Sequence, residues 1–183
     1  MKKYFSLLML CLCGLAFSAC EKENDEPEVS LPKFEKCIFE AGYEVNAEVG
    51  NFFDFSVTYT AMDGTVKEIK ADNKGKFSIN DESNKLPANV KMVVKAVKKA
   101  NYEEYKASKE EFNLDVHAFS YTATSKSSDG KTTILRFEPK DNQESGVNSK
   151  NIDKYFEIND DELNFTFEGT FSAYQNGCVF DLK

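Results

Sequence analysis

Tryptophan is absent from this 183-residue sequence, histidine occurs once (His117) and arginine once (Arg136). Each shortage excludes something. Without Trp, the strongest side chain for stacking on a sugar ring is missing. With one His and no Cys-x-x-Cys, a zinc site lacks ligands, so no metal and no cofactor is expected. The lone Arg and a formal net charge of −8 leave no basic patch for phosphates, and nucleic acid is excluded as a partner. No Gly-rich phosphate loop and no internal repeat interrupts the chain. What the sequence does hold is 16 Phe and 8 Tyr, together with abundant Val and Thr, a composition that favours strands.

The N-terminus reads as an address. Lys2 and Lys3 precede an apolar run from Tyr4 to Phe17, then Ser18, Ala19 and Cys20. This is the charged, apolar and small-residue order of a secretory signal, too short for a comfortable membrane span. From Glu21 to Pro32 the chain is acidic and nearly free of apolar residues, which predicts an extended, solvated tether.

The quartet Phe17-Ser18-Ala19-Cys20 resembles the lipobox of bacterial lipoproteins, with Phe17 where Leu is preferred. The acidic run Glu21-Lys22-Glu23-Asn24-Asp25-Glu26 is similar to the stretch that follows the lipid-bearing Cys in surface lipoproteins of Bacteroidota. That resemblance implies a signal peptide at 1–19, lipid attachment at Cys20, a lipidated tether at 20–32 and a folded domain at 33–183. It also implies an outer-membrane lipoprotein, exposed on the cell surface or facing the periplasm. Loss of Lys2 and Lys3 would take the net charge to 21 − 31 = −10.

Beyond residue 33 the dominant period is two. Tyr43 to Val49, Phe53 to Ala61 and Leu163 to Ala173 all alternate apolar with polar residues, the pattern of antiparallel strands with one dry face. Further strands are expected at 34–39, 65–70, 75–80, 90–98, 111–125 and 131–138. The last but one changes phase after Ala118, as a bulge or a strand passing between sheets would require. Asp63-Gly64, Asp129-Gly130 and Asn176-Gly177 predict two-residue type I′ hairpin loops, the last pairing Gln175 with Cys178. At Gly50-Asn51 a three-residue loop pairing Val49 with Phe53 fits the alternation better. Helices are expected at 101–108, with Asn101 as cap, and at 149–156, where Ile152, Tyr155 and Phe156 share a face.

These elements predict an all-β protein, an antiparallel β-sandwich. Residues 34–116, with Val57-Thr58-Tyr59-Thr60 and Val93 to Val97, resemble an immunoglobulin- or fibronectin-type sandwich, without the Trp of those families. A small β-barrel and two β subdomains divided near residue 116 are the alternatives.

Two cysteines, Cys37 and Cys178, would remain beside Cys20 in the mature chain, both on core-facing parity. Either they form a disulfide between the first strand and the last, or they are two separate buried thiols. His117 has no nucleophile motif near it, and no catalytic residue is assigned. Tyr102, Tyr105 and Tyr174 are the tyrosines expected at the surface, candidates for stacking on a ligand. The expected activity is non-catalytic: a binding or accessory module for a glycan or protein ligand, held to the membrane by lipid. A structural or adhesive surface component is the alternative, and a hydrolase would need two carboxylates about 5 to 9 Å apart across a cleft. The oligomeric state has no signature in the sequence.

Overall fold

Alternation is what builds the sheets. In a computed structural model that describes residues 31–72, 75–139, 145–175 and 177–183, strand β2 (Phe53–Thr60) buries Phe53, Phe55, Val57 and Tyr59 while Asp54, Ser56 and Thr58 face water. The same rule gives β1 (Phe34–Tyr43), β3 (Val66–Lys70), β4 (Phe77–Ser83), β5 (Ala88–Lys98), β6 (Glu111–Leu114), β7 (Phe119–Ser127), β8 (Thr132–Phe137), β9 (Ser145–Asn148), β10 (Phe165–Tyr174) and β11 (Gly177–Leu182). One sheet runs in the order β4-β1-β7-β8 and the other β11-β10-β5-β2-β3, with β6-β9 as a separate pair. All pairings are antiparallel, and the sheets do not close into a barrel. The result is an all-β, sandwich-like fold.

Both large sheets take strands from either side of residue 116, so a division there would cut each of them. The core lies between the sheets, where Phe39 of β1 stacks on Phe167 of β10 at 5.5 Å between ring centroids. Asp81 of β4 pins the layers together. Its Oδ2 accepts from the Tyr59 hydroxyl of β2 and from the Met62 N–H, each at 2.8 Å.

Several local expectations are corrected. The strand expected from Tyr43 to Val49 is absent beyond Tyr43, where β1 ends: Ala47–Phe52 is helix α1, with the Asn46 side chain accepting from the Val49 N–H at 3.0 Å. Val45, Val49 and Phe52 are all buried, and their spacing of four and three suits a helix as well as alternation suits a strand. The expected 111–125 strand is two, β6 and β7, and the phase change marks the point where the chain leaves one sheet for another. Helix α2 (Tyr102–Ala107) begins at Asn101, whose side chain makes no capping bond. A 3-10 turn (Ser149–Asn151) leads into α3 (Ile152–Ile158), and α4 (Asp160–Leu163) occupies the start of what alternation reads as a strand.

The hairpin loops also differ. Ala61–Thr65 and Ser127–Lys131 each close with the fourth-residue amide on the first carbonyl and the first amide on the fifth carbonyl, a three-residue loop with positive φ only at Gly64 (+84°) and Gly130 (+80°). In both, an Asp side chain takes the fifth-residue amide, so Asp63 and Asp129 supply the acceptor that a type I′ turn would not need. The β10–β11 hairpin pairs Tyr174 with Gly177 and Ala173 with Cys178, two residues from the expected register. Gln175 takes the left-handed conformation (φ 50°), while Asn176 lies outside the described residues. An even shift keeps the same face inward, so Phe171 meets Phe180 instead of Leu182.

Candidate functional site

Between β6 and β7 the chain passes through Asp115, Val116, His117 and Ala118, tied down by the Glu44 N–H on the Ala118 carbonyl at 3.1 Å. Asp115 is buried, its side chain only 9% exposed. Its Oδ1 accepts from the His117 N–H at 2.9 Å and lies 3.1 Å from His117 Nδ1. The contact places the ring by its Nδ1 edge and turns Nε2 away from Asp115. The imidazole itself is more than a third exposed.

His117 stands at the rim of a cleft of about 460 Å³. Phe119 at the start of β7, Phe137 at the end of β8 and Phe165 at the start of β10 give it an apolar floor. Glu138 rises from one side, and Asp161 and Glu162 of α4 complete its wall. Helix α4 is held there by the Tyr43 hydroxyl, which donates to the Glu162 carbonyl at 3.3 Å. Burial, with the Glu162 carboxylate nearby, pushes that phenol far above its ordinary range, so it stays a donor. Among the described residues, Asp161 and Glu162 make no ion pair, whereas Glu138 meets Arg136 at 3.3 Å.

The floor is the open end of a stack of rings. Phe119 touches Phe165 and Phe167 at 5.2 Å each, and Tyr121 stacks on Phe137 at 5.8 Å and 16°. Phe137 is nevertheless 48% exposed, with Leu135 at 43% and Ile134 at 61%. The register explains this. Leu135 and Phe137 pair with the buried Ala123 and Tyr121, so they point inward, yet β8 is the sheet edge and among the described residues its inward face is left half-exposed.

No family model, curated protein or solved structure matches this chain. The site is therefore read from its own chemistry.

Against the residues singled out from the sequence, burial brings corrections. Tyr102 is 3% exposed, its ring against Phe52 and its hydroxyl donating to Asp153 Oδ1 at 2.8 Å. Tyr105 lies edge-on to Phe52 at 4.8 Å and its hydroxyl accepts from Asn51 Nδ2. Neither offers a free face; both are wanted by the core. Tyr174 is 62% exposed, but it sits past the β5 residue Ala88 that pairs with Phe171, whereas Tyr102 follows the other end of β5. The three tyrosines do not form one platform. Cys37 is buried, Cys178 half-buried, and both thiols are free. Cys20 lies outside the described residues.

The cleft was missed at the sequence level because its parts come from three separated stretches. Two signals were available: the phase change at 115–118, and a β8 sequence, Thr132 to Phe137, carrying apolar residues on both parities. A larger hollow of about 780 Å³ near Met62 is lined mainly by charged and polar residues, and its Lys36 and Glu82 already pair at 2.9 Å.

Proposed function

We propose that this chain is a cell-envelope lipoprotein, anchored through Cys20, which works without catalysis as a binding module for an extended protein segment. The observation that carries the reading is the cleft beside β8: half-exposed rings, the Asp161 and Glu162 carboxylates, which make no ion pair among the described residues, and the edge strand of a sheet meet at one place. An added strand would pair with β8, lay an apolar side chain over Phe137 and bring a Lys or Arg to Asp161 and Glu162. The net charge of −8 favours such a basic partner and opposes self-association. His117 at the rim is held in place by Asp115, its Nδ1 3.1 Å from Asp115 Oδ1.

Because the chain has no Trp, a Trp-bearing peptide reports binding through its own emission. Alternating apolar peptides with one Lys should bind, and Phe137→Asp should abolish the signal; equal binding by the variant overturns the site. A glycan ligand is the second reading, favoured by rings set beside carboxylates and an imidazole that can accept from sugar hydroxyls. Binding on a glycan array that Phe137→Asp removes, with no peptide binding, would select it. Concentration-dependent dimers lost on the same substitution would instead mark a structural component. For the anchor, each buried acyl methylene contributes about 0.8 kcal/mol, so Cys20→Ala should move the protein to the soluble fraction. Unchanged membrane partition would overturn it.

A further inference from the structure

At the end of the sandwich away from the cleft, strands β1 and β11 face one another. Phe39 of β1 and Phe180 of β11 stack at 6.0 Å and 28°. Two residues earlier on each strand, and so on the same inward parity, stand Cys37 and Cys178. Ser125 of β7 lies on that inward parity as well: it pairs with Cys37 in the sheet, which puts its side chain on the same face. The ring contacts run β10 along β1 from Tyr43 toward Cys37: Phe165 meets Tyr43, Phe167 meets Phe39, and Ala173, further along β10, pairs with Cys178.

We propose that Cys37 and Cys178 are a site of oxidative modification, closing a disulfide that staples the C-terminal edge strand β11 to β1 across the interior. Their surroundings set an order of events. Cys37 is fully buried, its thiol donating to the Ser83 carbonyl at 3.5 Å with Met62 Sδ at 3.8 Å, and burial pushes it up to about 12. Cys178 is half-buried and within reach of solvent. The thiolate of Cys178 attacks the disulfide of a small or protein dithiol oxidant, forming a mixed disulfide and releasing one oxidant sulfur as a thiol. Cys37 then gives up its proton and attacks the Cys178 sulfur, expelling the second oxidant sulfur. Two electrons and two protons pass to the oxidant, which leaves as two thiols. This staple is independent of what the cleft binds.

Oxidised glutathione is a suitable probe on the full-length chain, followed by alkylation under denaturing conditions and peptide mapping. The peptides carrying Cys37 and Cys178 should be found joined, with neither alkylated. Recovery of both as alkylated thiols, or joined to any other cysteine, overturns the site. Cys37→Ser, or Cys37→Ala if Ser in the core impairs folding, should leave a glutathione adduct on Cys178. Cys178→Ser should leave Cys37 unmodified in the folded protein, and an adduct there at an equal rate overturns the order. Amide exchange in β11 should slow about 30-fold on oxidation, the low end expected for a native cross-link.

Discussion

Two groups of aromatic rings lie at the same end of the sandwich, and they are finished in opposite ways. Around Phe52 the rings of Tyr102, Tyr105, Phe112 and Phe156 come within 4.8 to 5.2 Å of its centroid, except that Phe112 and Tyr105 also touch each other at 5.3 Å. Three short helices, α1, α2 and α3, cover this cluster, and none of them is long enough to be stable alone. Their polar tips are also used: Asp153 of α3 accepts from Tyr102 of α2, from Lys98 at 3.2 Å and from Lys106. Around Phe119 the rings of Phe165 and Phe137 lie at 5.2 and 6.4 Å, and among the described residues no helix lies over β8 and the nearby carboxylates of α4 make no ion pair. The same residue type serves stability where it is sealed and, on the function proposed above, recognition where it is left open.

The sharpest way to break this contrast is to remove a ring from each side. Phe52→Ala takes a fully buried side chain out of the sealed cluster and should cost about 3 to 5 kcal/mol in denaturant unfolding. A loss below about 1 kcal/mol would show that the cluster is not the stabilising half.

Glycines test the two sides through the backbone. Gly75 (φ +73°) lies where an added Cβ would come 2.8 Å from the Phe55 ring and 2.9 Å from Val45 Cγ2, whereas Gly130 (φ +80°), in the hairpin that carries β8, has nothing within 4 Å. Gly130→Ala should therefore cost only the left-handed conformation, about 1 kcal/mol. Gly75→Ala should add roughly 1 to 3 kcal/mol of overlap in a filled core. Equal losses in thermal unfolding would mean that the Gly75 side is no tighter than the open edge.

Asp153 offers a pH test of the seal. Donation from Lys106, then from Tyr102, holds its carboxyl well below the usual carboxylate range near 3.8, against a small opposing effect of burial. A depressed carboxylate stabilises the folded state above its ordinary value and loses that contribution as pH falls through the folded one. Wild type should lose stability on acidification from about pH 4 downward, and Asp153→Asn should show a flatter profile there. At neutral pH the substitution should cost about 1 kcal/mol, since the group is half exposed and its ion pairs are screened. Parallel acid profiles for the two proteins would remove Asp153 from the seal.

How much of this contrast could be read from sequence depends on what kind of pattern each side uses. The strand faces of β2 and β10 were legible because a period of two needs only neighbouring residues. The helical region 149–156 was legible too, from Ile152, Tyr155 and Phe156. Helix α1 was not: from Val45 to Val49 the apolar residues satisfy both periods, and the deciding bond, donated by the Val49 amide to the Asn46 side chain, is a choice the tertiary packing makes. Tyr102 and Tyr105, expected at the surface, lie three apart on α2 and so share the face that it turns to Phe52. The cleft depends on which strand ends a sheet, and edge position is a property of topology that no local pattern encodes.

On the open side the effects on stability should be small and those on binding large. Phe137→Ala should cost about 1 kcal/mol, since the half-exposed ring meets only Tyr121 closely and Phe119 at 6.4 Å, and weaken peptide binding at least about tenfold. Smallest of all is Ile134→Lys. Ile134 is 61% exposed on the outward face of β8, opposite Thr124, so the substitution should change stability by no more than about 0.5 kcal/mol. A lysine on an edge strand should still discourage a second strand from pairing there, because adding one would crowd its charge and strip its water. If the ligand adds as a strand, Ile134→Lys should weaken its binding although it leaves the cleft floor intact. If the ligand enters the cleft alone, as a sugar would, affinity should not move, and strand addition is overturned while the site stands.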